Sequence, residues 1–326
     1  MKYWKKITLA LLAMFICSIT LYAYAVTHPT NALSHKACTS WDIVKRKAFE
    51  LSHTDFSNQS ALDRSNFKIE QGTATEVPVL MYHYIEPKLN NHETDNKSII
   101  NLEDFEQNMK YLHDEGYRTI TLDQLEQYVN GKLSLPQKSI VITFDDGYQN
   151  NYTLAYPVLQ KYNFHASLFV IGSKIQEQPS EFEPAINSFI SKPEMQAATD
   201  VFEFNSHTYN LHHKGFMRCG NSVPVGLDTS LLDDDIQRMK QTGIDTPYLA
   251  YPFGYTSTQM IYKLQQHGYR MAFTVKSGFV HPGDHPMKLP RLTVTTGTDL
   301  ATLLQPESSP QNESSASEND QLKSTL

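Results

Sequence analysis

The stretch SIVITFDDGYQNNY, residues 139–152, determines how the rest of the chain is interpreted. Residues 140–143 are apolar or β-branched and lead through Phe144 into two adjacent carboxylates, Asp145 and Asp146, and then a glycine. This pattern predicts a buried strand that ends in a turn. In parallel α/β folds, ligands and reacting groups collect beyond the carboxyl ends of strands, so both carboxylates are expected at a functional edge.

The two aspartates are expected to differ in role, because neighbouring side chains on an extended chain point in opposite directions. One can hold a metal while the other moves a proton. An isolated Asp-Asp-Gly would more often be a turn acid followed by a helix N-cap. The histidines further along the chain decide between these interpretations.

Composition limits the function classes. The chain has 326 residues, of which 40% are hydrophobic, so it can form one large domain or two small ones. Its net charge of -7 gives no indication of a nucleic-acid surface. Three cysteines are too few for a disulfide scaffold, and the sequence leaves open whether Cys38 and Cys219 pair.

The N-terminus carries an export signal. Lysines at positions 2, 5 and 6 precede an apolar run over residues 7–26, in which Ala-Tyr-Ala at 23–25 suits signal-peptidase cleavage. Residues 1–26 are therefore expected to be a signal peptide or an N-terminal membrane anchor. Either one places the protein outside the cytoplasm, secreted or at the cell surface, with membrane contact only through this segment.

Three further regions follow from composition. Residues 27–75 are a polar spacer, residues 76–304 form the working domain, and residues 305–326 are a polar tail expected to be disordered. In the working domain, strand and helix patterns alternate without an internal repeat. Predicted strands cover 77–84, 118–121, 139–144, 166–171, 201–205, 248–251, 270–275 and an extended piece at 288–294; predicted helices cover 102–113, 121–128, 151–162, 193–199, 230–242 and 257–267, with a loop at 214–229.

These seven or eight β-α units predict an α/β fold with a single (β/α) barrel, distorted, seven-stranded and TIM-like. A doubly wound open sheet is the alternative. The predicted barrel would bring the ends of distant strands to one rim.

A histidine-rich segment, SHTYNLHH at residues 206–213, follows the predicted strand 201–205. His207 and His212, together with Asp146, would make an open three-ligand site suited to Zn²⁺. A histidine pair alone would more often be ordinary polar loop residues, but this pair shares its topological location with the aspartates. His213 is expected to be an exposed neighbour.

Two other signals fall at predicted strand ends. His83, in VLMYHYI, would lie at the same rim, although a lone rim histidine is more often structural. Tyr251-Pro252-Phe253-Gly254 forms a strand-to-helix turn whose backbone amides are expected to face the same cavity.

Together these motifs resemble the polysaccharide deacetylases of carbohydrate esterase family 4, the NodB-homology group. Within that group the chain is most similar to the IcaB/PgaB branch of poly-β-1,6-N-acetyl-D-glucosamine N-deacetylases. The similar segments are TFDDGYQ at 143–149, HTYNLH at 207–212, YPFG at 251–254, VPVLMYHYI at 77–85 and LPRL at 289–292. The resemblance spans about residues 77–294.

The resemblance implies a role for each matching residue. Asp146, His207 and His212 would hold the metal, Asp145 would be the general base, and His83 the general acid. The metal would be divalent, with zinc expected and nickel, cobalt, manganese or iron as alternatives.

One departure from the family pattern concerns a cation. Many relatives carry Arg before the Pro-aromatic turn, where this chain has Ala250, and Arg291 in LPRL is the candidate to orient Asp145 instead. On the substrate side, the candidates are the backbone N–H of Phe253, as an oxyanion donor, and the side chains of Tyr251 and Tyr148.

The resemblance implies metal-dependent removal of N-acetyl groups from an extracellular N-acetylglucosamine polymer, with a link to biofilm. Peptidoglycan, chitin oligomers and xylan are alternative substrates, and a glycan-binding protein with an inherited site is the non-enzymatic alternative. A zinc peptidase is disfavoured because the chain lacks HExxH. The expected partner is the polysaccharide alone, with no nucleic acid, and the protein is expected to be a monomer.

Overall fold

The computed structural model describes residues 74–305 except 94, 185, 219–220 and 225–227, and in addition residues 44 and 48. The predicted signal peptide or anchor, nearly all of the polar spacer, the three cysteines and the tail from residue 306 lie outside the described residues. Within the described part of the chain, no helix is both long enough and apolar enough to span a bilayer.

Eight strands form one sheet in which every pairing is parallel. Seven of them are adjacent in the order β11-β10-β7-β6-β5-β1-β12. The eighth, β4, pairs with the first two residues of β5, Ser139 and Ile140. These strands are β1 (Val79–Tyr82), β4 (Arg118–Thr119), β5 (Ser139–Phe144), β6 (Ala166–Val170), β7 (Phe202–Ser206), β10 (Tyr248–Ala250), β11 (Met271–Phe273) and β12 (Leu292–Thr293).

The two edges of this sheet are joined by the segment 289–293. Leu289 forms a parallel bridge to Phe273 in β11, and three residues later Leu292 pairs with Leu80 in β1. The parallel sheet is thereby curled into a nearly closed barrel, and the predicted single (β/α) barrel is confirmed.

Seven α-helices of the described residues connect or flank the strands, and several have the predicted ends. They are α1 (Leu102–Asp114), α2 (Leu122–Val129), α3 (Tyr156–Lys161), α4 (Lys192–Ala197), α5 (Leu232–Gln241), α6 (Thr258–Gln266) and α7 (Leu300–Leu303). Helix α2 begins with the predicted capping box, in which Thr121 and Gln124 satisfy each other's backbone N–H groups. Ser191 and Glu194 form a second capping box at α4.

Strand β5 lies at the centre of the sheet, between β1 and β6, and all six of its residues are buried. Ile140, Ile142 and Phe144 pack into one core, where the Phe144 ring lies 5.4 Å from that of Tyr82 and 5.8 Å from that of Phe105, and Val141 packs into a second. This central position carries Asp145 and Asp146 to the middle of the carboxyl-end rim.

The structure differs from the sequence prediction in three elements. The predicted strand 77–84 is split at His83, after which β2 (Tyr84–Glu86) leaves the main sheet and pairs with β3 (Ile99–Asn101). The predicted helix 151–162 begins as a π-helix, Asn151–Ala155, before α3. The predicted loop after the histidines contains an antiparallel hairpin of β8 (Lys214–Arg218) and β9 (Asn221–Pro224).

Candidate active site

The site is built at the carboxyl ends of three parallel strands. His83 follows β1, Asp145 and Asp146 follow β5, and His207 follows the last residue of β7. Residues at these turns adopt left-handed backbone conformations, with φ of 74° at Asp146 and 67° at Thr208. Such values are uncommon outside glycine, and they cluster here because the turns must aim side chains back into one cavity.

Asp146, His207 and His212 form a cluster with the chemistry of a metal site. One ligand atom from each lies within 4.8 Å of the others, and the Nε2 atoms of both histidines are 3.5 Å from Oδ1 of Asp146. That oxygen is buried and makes no hydrogen bond to the described residues. A buried carboxylate oxygen without a donor is costly, and a cation shared with the two imidazoles would satisfy it.

The histidines are oriented for ligation. Nδ1 of His207 hydrogen-bonds to the carbonyl oxygen of Ala250 at 2.8 Å, which leaves Nε2 directed at Asp146. Burial and the charge of His207 lower the pKa of His212 to about 4, so His212 is neutral at pH 7. Two imidazoles and one carboxylate form a three-ligand set that fits an open Zn²⁺ site.

Arg291 lies against Asp145. Its Nη1 and Nη2 donate to Oδ1 and Oδ2 of Asp145, both at 2.7 Å, and its Nε donates to the carbonyl oxygen of Thr274 at 3.0 Å. Arg291 is completely buried, and Asp145 is 2% exposed. Burial alone would raise the pKa of Asp145, but Arg291, together with His207 and His83, more than offsets this and the pKa lies below its usual value. The structure therefore places a cation where the sequence suggested one.

His83 is on the other side of Asp145. Its Nε2 lies 3.8 Å from Oδ2 of Asp145, and its side chain is 18% exposed, so it reaches both the carboxylate and the cavity. His213, predicted to be a bystander, is exposed. The predicted pair of base and acid thus lies together beside the metal cluster.

Phe253 and Tyr148 flank the cluster. The ring of Phe253 lies 4.3 Å from that of His212, at a turn where Phe253 has φ of 56°. Tyr148 packs between Tyr84 and Phe189, with ring separations of 5.0 and 5.2 Å. Burial and the charge of Asp146 raise the pKa of Tyr148, which keeps its hydroxyl protonated and able to donate.

The prediction that the Tyr251 side chain faces substrate is corrected by the structure. Tyr251 is completely buried, and its hydroxyl donates to the carbonyl oxygen of Met287 at 3.0 Å. It follows a strand whose residues are all buried, so its ring packs into the core between the barrel and helix α6. The YPFG turn contributes to the cavity through Phe253 and not through Tyr251.

Two asparagines that the sequence analysis did not single out link the segment after Asp146 to the segment that contains His83. Asn150 donates to the carbonyl oxygen of Ile85 at 2.7 Å, and Asn151 donates to that of His83 at 2.8 Å. Both are completely buried at the start of the π-helix that follows Asp146. The signal was present as two consecutive amides directly after DDGYQ, but their partners lie more than 60 residues away.

Comparisons with known proteins agree with this geometry. Residues 132–272 match the family model described as polysaccharide deacetylase. A Bacillus subtilis protein, YxkH, whose name assigns it provisionally to the polysaccharide deacetylases, is 27% identical over 73% of this chain and 78% of its own length. The poly-beta-1,6-N-acetyl-D-glucosamine N-deacetylase of Staphylococcus epidermidis is 27% identical over 78% of this chain and 89% of its own length.

A solved structure is similar as well. The structure of IcaB from Ammonifex degensii superposes with a TM-score of 0.57 and 28% identity, covering 68% of this chain and 93% of that one. The family match, the relatives and the fold point the same way. Residues 132–272 therefore match a polysaccharide deacetylase domain, and this match together with the relatives indicates a carbon–nitrogen hydrolase.

Proposed function

We propose that the protein is a metal-dependent N-deacetylase that acts outside the cytoplasm on poly-β-1,6-N-acetyl-D-glucosamine and releases acetate. The observation that carries the proposal is that a candidate metal cluster and a candidate acid–base group lie side by side at one rim of the barrel. The Asp146, His207 and His212 cluster spans 4.8 Å, and the Arg291–Asp145–His83 group lies directly beside it. The polymer and its linkage are supported by the name of the Staphylococcus epidermidis relative, and the location by the export signal.

A divalent cation held by Asp146, His207 and His212 would polarise the acetamide carbonyl and lower the pKa of water toward ~7. Asp145 accepts the proton that the attacking water gives up. The two hydrogen bonds from Arg291 keep Asp145 ionised and hold its carboxylate in one orientation. The base therefore does not have to reorganise when the proton arrives.

His83 supplies the proton that the departing nitrogen needs. An amide anion is a very poor leaving group, whereas a protonated amine leaves readily. The backbone N–H of Phe253 donates to the oxygen on which negative charge develops during attack. Water provides the hydroxyl that stays with the acetate and gives one proton to Asp145, while His83 gives one proton to the amine. Asp145 then releases its proton and His83 takes one up from solvent, which restores both residues for the next turnover.

The test is acetate release from β-1,6-linked N-acetylglucosamine oligomers by the metal-supplemented full chain. Asp145→Asn and His83→Ala should each lower kcat at least 100-fold, as expected for loss of general acid–base catalysis. His213→Ala is the matched control, because His213 is an exposed histidine next to a ligand and should retain full activity. Full activity of either site variant would exclude the assigned role.

The same assay separates the alternatives. Faster release from β-1,4-linked chitin oligomers or from peptidoglycan would move the proposal to those substrates. Binding of polymer without any acetate release in the presence of metal would favour the glycan-binding alternative.

A further inference from the structure

A second cavity, of about 530 Å³, lies beside the candidate active site. Residues 274–277, which follow β11, line it together with Gly254, Thr256 and Lys288. Because β10 and β11 run parallel to β7, their carboxyl ends reach the same rim as His207. The cavity is therefore on the working edge of the barrel.

The two cavities share structural walls. The carbonyl oxygen of Thr274 accepts the hydrogen bond from Nε of Arg291, whose other nitrogens hold Asp145. Gly254 directly follows Phe253, the residue whose ring packs on His212. A sugar next to the one being deacetylated would consequently lie within reach of the second cavity.

The lining of this cavity is positively charged, whereas the whole chain has a net negative charge. Its lining contains two lysines and no acidic residue, although the chain as a whole has 35 acidic and 28 basic residues. Lys276 and Lys288 are exposed, and among the described residues neither lies within 4.0 Å of a carboxylate oxygen. Burial and the charge of Lys288 both lower the pKa of nearby His285.

The rest of the lining suits a sugar. Ser277 contributes a hydroxyl, and Val275 is 45% exposed. Exposed aliphatic surface beside a hydroxyl group can pack on a sugar ring while the hydroxyl hydrogen-bonds to its edge.

We propose that this cavity binds an anionic group, a carboxylate or a phosphate, carried by the sugar next to the residue that is deacetylated. Lys276 and Lys288 bind the anion, and the same two charges disfavour a neighbouring sugar that already bears a free ammonium group. The inference rests on the proposed function. It adds that the substrate is a glycan with acidic substituents.

The test uses three β-1,6-linked N-acetylglucosamine pentamers that carry one substituent each: a carboxymethyl ether, a phosphate monoester or a neutral hydroxyethyl ether. For the wild-type full chain, kcat/KM for an acidic pentamer should exceed that for the neutral one by about fivefold at low salt, as two weak ion pairs provide. The two acidic pentamers distinguish carboxylate from phosphate as the source of the anion.

The matched variants carry equal changes in charge. In Lys276→Gln/Lys288→Gln the ratio should fall to about one, as expected once both ammonium groups are gone. In Lys110→Gln/Lys161→Gln, on helices α1 and α3, the ratio should remain. A wild-type ratio of one for both acidic pentamers, or a ratio that survives loss of Lys276 and Lys288, would overturn the proposal.

A binding measurement distinguishes failure of this inference from failure of the proposed function. Calorimetric titration of the acidic pentamers into the protein does not require turnover. If no pentamer releases acetate, the proposed function fails. The inference is then tested by binding alone. It is supported if an acidic pentamer binds the wild type at least fivefold more tightly than the Lys276→Gln/Lys288→Gln variant, and it is overturned if the two bind equally.

Discussion

The contact between Arg291 and Asp145 sets both the charge and the orientation of the base. Both residues are buried, and the guanidinium grips both carboxylate oxygens at 2.7 Å. Arg291→Gln removes the largest charge that opposes the effect of burial, so the pKa of Asp145 should rise. Because the base works only when ionised, the acidic limb of kcat/KM against pH should move upward by about one unit or more.

Arg291→Lys is the control for this prediction, because it keeps a positive charge but loses the two-pronged contact. Its acidic limb should stay closer to that of the wild type. An unshifted limb in Arg291→Gln, with folding verified by circular dichroism, would mean that the arginine does not control the base.

Asn151 gives a second prediction at this scale. Asn151→Leu preserves size but removes the N–H donor that holds the carbonyl oxygen of His83 at 2.8 Å. The acid should lose its position while the metal ligands keep theirs, so kcat should fall about tenfold with little change in KM. Bound metal per chain, measured by mass spectrometry, should be unchanged, and a loss of metal would instead indicate general damage to the rim.

The single residues show what sequence alone could and could not provide. Asp145, Asp146 and His207 were predictable because each follows a strand recognisable from local pattern, and His212 because it belongs to the same histidine-rich segment as His207. Tyr251 was misplaced because its neighbours in sequence do not reveal that its hydroxyl points to Met287. Asn150 and Asn151 were missed because their importance depends on partners distant in sequence, Ile85 in β2 and His83 just before it.

At the scale of elements, the turn after β10 depends on Gly254. This residue has φ of 71°, and an added Cβ would lie 2.5 Å from Cγ2 and 2.7 Å from the backbone nitrogen of Val275. Gly254→Ala should lower the free energy of unfolding by about 2–4 kcal/mol, combining backbone strain with overpacking. Urea unfolding measures the change.

Gly243→Ala is the matched control, because Gly243 also has positive φ, 95°, but a Cβ there meets nothing within 4 Å. It should cost only the strain, about 1 kcal/mol. Equal destabilisation of the two variants would show that the close approach to Val275 contributes nothing.

Elements whose causes are local were predicted well. The apolar run of β5 and the capping box of α2 are both determined by residues that are close together in sequence. The interruption of the first strand at His83 and the π-helix at 151–155 were not predicted, because asparagine contacts between distant segments produce them. The hairpin at 214–224 lacks a strong turn signature and looked like a loop.

For the whole molecule, an ion pair between distant segments makes stability depend on pH. Glu126 in α2 accepts from Arg270 at 2.7 Å and from the hydroxyl of Tyr248 at 2.8 Å. Burial opposes ionisation, but these partners lower the pKa of Glu126 overall. The folded state therefore binds fewer protons, and its stabilisation, about 1 kcal/mol, is complete above the ordinary carboxyl pKa and lost as pH falls through the folded value.

Glu126→Gln should accordingly flatten the fall in stability on acidification, measured by urea unfolding at pH 7 and pH 4. Asp95→Asn, at a carboxylate that is exposed and in no ion pair among the described residues, is the control and should leave the slope unchanged. If the free energy of unfolding of Glu126→Gln falls as much between pH 7 and pH 4 as that of the wild type, this ion pair does not contribute to the loss of stability in acid.

Metal removal is the second prediction at this scale. A chelator should lower acetate release at least tenfold, because the cation is needed to activate water, and should lower the melting temperature, because a ligand that binds only the folded state stabilises it by about 2.7 kcal/mol at 100 times its Kd. Adding Zn²⁺ back should restore both. Asp146→Asn should show a melting temperature that no longer responds to the chelator, and a persistent response would mean that the metal is held elsewhere.

The late position of Arg291 has a consequence for truncated chains. Arg291 directly precedes the last strand of the barrel, Leu292–Thr293, which pairs with β1, more than 200 residues earlier. A chain that ends before residue 291 retains Asp146, His207 and His212 in its sequence but has no guanidinium to place beside Asp145. Premature termination or proteolysis before this point should therefore yield a product without hydrolytic activity, although most of the candidate site residues are still present.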